Sequence, residues 1–205
     1  MRVKRCWVES VFLELFGGVA CLDFANTVDG RATAHPEELL HSYADLAAWS
    51  AYAGLIDSTT AARLARRGTD ADLRSALVLR EAVFEVFAAA GRRQPVPAAA
   101  LAEVQARYAE AMAVARLVRG DDGYDWRFDG DEPGRAWWPV AVSAVRLLTS
   151  GPLDRVKACA AEAGCIGLFL DTSKNRSRRW CTMDGCGVDA KIERQASRRR
   201  AARGR

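Results

Sequence analysis

Four cysteines near the C-terminal end carry the clearest chemistry in the chain: Cys159-x5-Cys165, fifteen intervening residues, then Cys181-x4-Cys186. Two short-spaced cysteine pairs suit a tetrahedral zinc site. Each pair supplies two thiolates from one turn, and the intervening loop brings the second pair round to sulfur–metal distances of roughly 2.3 Å. Such a site is structural, because four thiolates leave no open position for water. The alternatives are buried thiols or disulfides, and disulfides call for an oxidising compartment. Cys6 has no partner at ligand spacing, and Cys21, inside the apolar run Val19–Leu22, reads as a buried thiol.

The loop between the pairs reads Leu168-Phe-Leu-Asp171-Thr-Ser-Lys174-Asn-Arg176-Ser-Arg178-Arg179-Trp180-Cys181 and is followed by Thr182-Met-Asp-Gly-Cys186-Gly187. This stretch resembles the CGNR zinc-finger family of bacterial proteins, which carries LFLD-x-S-x-N-x-S-R-R-W-C before a pair closed by Cys-Gly-Asn-Arg. Leu22-Asp23-Phe24-Ala25-Asn26-Thr27 is similar to the LDFxNT opening of the ABATE domain that precedes such fingers, so the resemblance covers nearly the whole chain. It implies a stress-response transcription regulator. One departure stands out: Val188 and Asp189 occupy the positions of the family's Asn and Arg, so any grip of that Arg on phosphate is missing.

The charge distribution points the same way. From Lys174 to the end there are eleven Lys or Arg against three acids, a net +8, and the rest of the chain carries −4. A basic end on an ordinary domain is the electrostatic footprint of a nucleic-acid-binding module. The candidate contacts are Lys174, Arg176, Arg178 and Arg179 in the loop, and Lys191, Arg194, Arg198 and Arg199 in a helix-compatible segment beyond the finger. The expected partner is duplex DNA, with binding as a homodimer an open option. An RNA-associated or protein-interaction module with a purely structural zinc is the alternative. No apolar run reaches the ~20 residues of a membrane span and the start lacks a signal-peptide pattern, so a cytoplasmic protein is expected.

An enzyme is not expected. His35 and His41 are six apart and do not share a helix face, and no Walker A, GxGxxG or GxSxG appears. The acidic stretch after Gly120 fails as a calcium loop, because counting from Asp125 the third position is Arg127. Asp23, Asn26 and Thr27 are polar residues in an apolar run. They read as caps or strand-end hydrogen bonds, or as the lining of an effector pocket in a sensory domain.

The elements that must position these groups are mainly helices. Pro36-Glu-Glu opens one expected helix that runs on to Gly54; Ser58 caps a short one, Thr69 or Asp70 a long one ending at Gly91. Pro97 opens another, with Leu101, Val104, Tyr108, Ala111, Ala115 and Val118 inward, and a last one spans about Arg135 to Thr149. Tyr124–Phe128 alternates as a strand, expected to pair with short N-terminal strands around Gly17-Gly18, a stretch that reads equally as a strand followed by a helix start. The expected fold is thus mainly α with a small antiparallel β element: a helical domain over 1–151, and over 152–205 a four-cysteine zinc finger with a basic helix, broken from it at Ser150-Gly-Pro152.

Overall fold

A computed structural model describes residues 14–120, 123–161 and 164–203, without the side chains of 197, 198 and 201–203. The long helix α4 (Asp70–Gly91) is the spine. A reciprocal capping box starts it, Thr69 accepting from the Asp72 N–H and the Asp72 carboxylate accepting from the Thr69 N–H. Its inward face buries Leu73, Leu79, Val83, Val86 and Phe87, each such side chain contributing roughly 1.5–3 kcal/mol. α5 (Ala98–Val114) packs on α4, and α6 (Trp138–Thr149) packs on α5. The short α1 (Ala20–Ala25) is wedged between α4 and α6, with Cys21, Leu22, Phe24 and Ala25 buried. α2 (Tyr43–Tyr52) and α3 (Ser58–Ala65) form a pair at one side, where the ring of Tyr43 leaves no room for a side chain at Gly68.

Six short strands form three separate antiparallel pairs among the described residues: β1 (Val28–Asp29) with β2 (Glu37–Glu38), β3 (Arg116–Gly120) with β4 (Gly123–Arg127), and β5 (Val156–Ala158) with β6 (Leu168–Leu170). A mainly helical fold with small antiparallel pieces is therefore what the chain adopts, and its cysteine cluster lies beyond the last long core helix.

Several local expectations are corrected. The helix does not begin at Pro36: Glu37–Glu38 is strand β2, and α2 starts only after Ser42, which shares a capping box with Asp45. The reason is tertiary. Both Glu38 oxygens accept from Arg80, at 2.6 and 2.7 Å, and the same carboxylate accepts from the Leu39 and Leu40 N–H groups. Arg80 is 4% exposed and also reaches Glu81, whose other oxygen meets Arg31 at 2.5 Å. Without Glu38, whose own side chain is 33% exposed, the buried Arg80 guanidinium would lose its two bonds to that carboxylate, a penalty that outweighs the modest preference of proline for a helix start.

The Gly17-Gly18 turn leads into α1, and the stretch Val11–Leu13 lies outside the described residues. β4 pairs with β3, with Leu117 opposite Trp126, instead of with N-terminal strands. Leu101 is 43% exposed, and Val118 belongs to β3. α3 takes its cap from Asp57, one residue before Ser58, because the carboxylate reaches both the N–H and the hydroxyl of Thr60.

Candidate metal centre and basic surface

The strand pair β5–β6 carries the cysteines to one point. Cys159 follows β5, and its N–H donates to the Gly167 carbonyl at 2.8 Å. Cys165 precedes β6, and Cys181 precedes a π-turn over Met183–Gly187 that contains Cys186 and runs directly into α7 (Val188–Arg203). All four sulfurs lie within 4.8 Å of one another. Cys165 to Cys181 and Cys181 to Cys186 are both 3.6 Å apart, far beyond a disulfide bond of roughly 2.05 Å. Four sulfurs at ~2.3 Å from a common zinc would be separated by about 3.8 Å. The donor set fits a tetrahedral thiophilic ion.

Proton balance in the cluster favours a cation too. The Cys165 and Cys181 thiols hydrogen-bond to Cys159 and hold it far below the ordinary thiol range. Cys165 and Cys181 are pushed up by the same bonds to Cys159, and burial raises Cys186 to about 12. Four sulfurs this close cannot all ionise unaided, whereas a divalent ion stabilises every thiolate at once. Cys21 sits apart. Burial raises it to about 12, so it stays a neutral core thiol, while Cys6 lies outside the described residues.

The loop between the cysteine pairs is braced from inside. Asp171 is fully buried; although desolvation pushes its carboxyl up, hydrogen bonds from Lys157 and Ser173 hold it well below the usual carboxylate range. Its oxygens accept from Lys157 Nζ at 2.5 Å, from the Ser173 N–H and hydroxyl, and from the Arg178 N–H. Lys157 also donates to the carbonyls of Arg176 and Arg178, and Arg155 to those of Asp171 and Ser173. Sequence reasoning named Asp171 only as part of the motif and missed its role, although Asp-x-Ser is a turn signal. Nothing in the sequence marks Lys157.

The candidate basic residues divide. Arg178 turns inward: its guanidinium lies 4.3 Å over the Phe169 ring and donates to the carbonyls of Phe16, Leu170, Trp180 and Cys181. Four of its five N–H donors are thereby engaged within the fold, which sets Arg178 apart from the other candidate phosphate contacts. Arg176, in the left-handed region at φ 53°, pairs with Asp154 on the surface. Lys174, Arg179, Lys191, Arg194 and Arg199 are exposed. Arg179, from the loop, and Arg194, from α7, lie 5.2 and 5.8 Å from the half-buried Trp180 ring. For Arg198 the backbone alone is described, within α7.

Asp23, Asn26 and Thr27 are all engaged internally. The Asn26 side chain donates to the Leu168 carbonyl and accepts from the Leu168 N–H, both at 2.8 Å, so it acts as one rung of a sheet against β6. Thr27 donates to the Phe24 carbonyl, and Asp23 accepts from the Gly17 N–H at 2.7 Å. Gly17 itself sits where a Cβ would lie 2.7 Å from the Asp23 nitrogen, and its carbonyl accepts from the Leu170 N–H. The cavity beside Asp23, Asn26 and Thr27 measures about 10 Å³, room for no more than one water. These contacts support the hydrogen-bonding reading of the three residues.

Substitutions at Asn26 and Asp23 should separate these roles. Asn26→Ala strands both backbone groups of Leu168 in a buried position, so stability should fall by roughly 2–4 kcal/mol. An unchanged melting temperature would show that β6 holds without the amide. Burial raises the Asp23 carboxyl to about 6, against the opposing pull of the Gly17 hydrogen bond. A raised carboxyl pKa contributes stability that is fully present below the unfolded value and is lost as pH rises through the folded one. Asp23→Asn should therefore flatten the stability profile between about pH 4 and 6 and add roughly 1–2 kcal/mol at pH 7, after discounting for partial solvent access. A profile with the same slope in wild type and variant would count against that burial effect.

Among the described residues no helix is long and apolar enough to cross a membrane. A family model for ABATE, described as "Putative stress-induced transcription regulator", matches residues 18–151, and a model for the CGNR zinc finger matches residues 155–199. Neither is an enzyme family. No curated protein matches the chain.

Proposed function

The chain belongs to the ABATE family and carries a CGNR zinc finger behind it, and on that premise we propose that it is a zinc-containing transcription regulator whose finger and basic helix bind duplex DNA. Cys159, Cys165, Cys181 and Cys186 hold one zinc ion in this reading. The helical part up to Gly151 senses a signal or makes protein contacts, and residues 152–205 form the nucleic-acid-binding part.

One observation carries the reading. Arg179 and Arg194 come from different elements, fifteen residues apart, and both guanidiniums lie over the ring of Trp180, next to the metal ligand Cys181. The loop and α7 thereby present one basic surface, to which Lys174, Lys191 and Arg199 are exposed neighbours. Fixing the guanidiniums around a metal-anchored ring lowers the ordering entropy of phosphate contact. Asp189 works the other way. In the first turn of α7 it suits the helix dipole, but it places negative charge beside that surface.

The test is selection of fragments from random duplex DNA by the zinc-loaded protein. Enrichment of a motif supports the reading, and a palindromic motif supports a homodimer. The half-buried Trp180 is also a platform on which an unstacked base could lie. Stronger retention of single-stranded RNA than of duplex DNA would transfer the function to RNA.

A further inference from the structure

The helical part holds a second feature, remote from the cysteines. A cleft of about 1240 Å³ opens between α6, the β3–β4 hairpin and the turn joining α2 to α3. Its volume is above the range of roughly 300–1,000 Å³ common for small-molecule sites. The walls are apolar where Ile56, Trp126, Phe128, Val142 and Leu147 line them. Phe128, Val142 and Leu147 are buried in the core, so that wall is rigid, while Trp126 remains 38% exposed.

The charges in the cleft are unequal. Asp57 lines it but is already used as the cap of α3. Asp125 is paired with Arg146 at 3.2 Å, a bond between side chains 72% and 61% exposed, of a kind worth little. Arg135 donates one N–H to the Gly130 carbonyl at 2.7 Å. Arg127 lines the cleft and makes no side-chain hydrogen bond or ion pair among the described residues. Among the described residues the cleft thus offers one guanidinium without a side-chain partner and a second on a weakly held partner, together with the apolar side chains of Trp126, Phe128 and Val142. A planar guanidinium matches a carboxylate with two parallel hydrogen bonds.

We propose that this cleft is an effector site for a small amphipathic carboxylate, with an aromatic or aliphatic body against Trp126, Phe128 and Val142 and its carboxylate between Arg127 and Arg146. The proposal rests on the sensing role of the helical part, gives it chemistry, and places it away from Asp23, Asn26 and Thr27. The cleft also reaches Leu170 of β6. That residue's N–H is bonded to Gly17 and its carbonyl to Arg178, the brace of the metal loop, so a ligand here touches the strand that carries the finger.

The experiment is a titration of the zinc-loaded full-length protein, without nucleic acid, with 1-naphthoate and decanoate, beside 1-naphthalenemethanol and decanol, by calorimetry and tryptophan fluorescence. The carboxylates should bind at least tenfold tighter than their alcohols. Arg127→Gln should weaken them about tenfold, and Asp125→Asn, which frees Arg146, should tighten them. These residues are exposed, so the variants should fold as the parent does, which their melting curves check. Equal binding of acids and alcohols, or carboxylate affinity unchanged in Arg127→Gln, would overturn the proposal. Because DNA is absent, this result is independent of whether the finger binds DNA.

Discussion

The purified protein is expected to carry one zinc per chain, and Cys165→Ser or Cys181→Ser to lose it. The reason is the sulfur geometry: edges of 3.6 Å on Cys181 match a zinc–thiolate tetrahedron. Removing one corner leaves three thiolates and an open position. Structural zinc in small fingers contributes apparent free energies of roughly 10–16 kcal/mol near neutral pH, so loss of the ion is the largest single change expected of this molecule. Sequence alone suggests that the finger would unfold and leave the helical part untouched. The structure argues for a wider effect. Val156 and Leu168, from the two strands that carry the cysteines, are 1% and 0% exposed in the main core, and β5 and β6 pack on α4 and α1. Chelation should therefore lower the melting temperature of the helices as well as disorder the loop. Metal analysis and thermal unfolding with and without a chelator check both parts. Full zinc occupancy in Cys165→Ser would refute the ligand set, whereas Cys6→Ser and Cys21→Ser should retain the metal.

Affinity for duplex DNA should fall steeply with salt. If four to six of the exposed basic groups neutralise phosphates, log K against log salt should have a slope of about −4 to −5, a loss of roughly 10²–10³ in affinity between 50 and 200 mM salt. Replacing Arg179 and Arg194 together by Ala should make the slope shallower by about 2. Deleting the chain after Glu193 should remove more of it. Arg178→Ala serves as a contrast: its donors hold four carbonyls, so its effect should appear as lost stability and weakened metal retention. Asp189→Arg should tighten binding by exchanging repulsion for attraction beside the cysteine cluster. Binding indifferent to salt, or unaltered by loss of Arg179, Arg194 and the tail, would defeat the DNA assignment and favour a protein-interaction role.

The helical class was legible in the chain before any coordinates, since helices that cap themselves announce it in local pattern. Thr69 and Asp72 at α4, and Pro97 at α5, act within one turn of their own helix. The four cysteines were legible too, because ligand spacing along the chain restricts which sulfurs can meet in space. What depends on a partner distant in sequence came only from the packing of elements. Pro36-Glu-Glu is a good local helix start, yet a buried arginine of α4, Arg80, holds Glu38 in a strand. Arg178 and Arg179 are adjacent and chemically identical. One is drawn inward by carbonyls of Phe16, Leu170, Trp180 and Cys181 and by the Phe169 ring, while the other remains exposed beside Trp180 and Arg194. Asn26 is the same lesson in reverse: its motif marked it, but only the approach of β6, one hundred and forty-two residues away, showed that its amide completes a sheet. Local signals fix an element by its own hydrogen bonds, whereas the direction of a long polar side chain follows the unpaired groups that other elements bring within its reach.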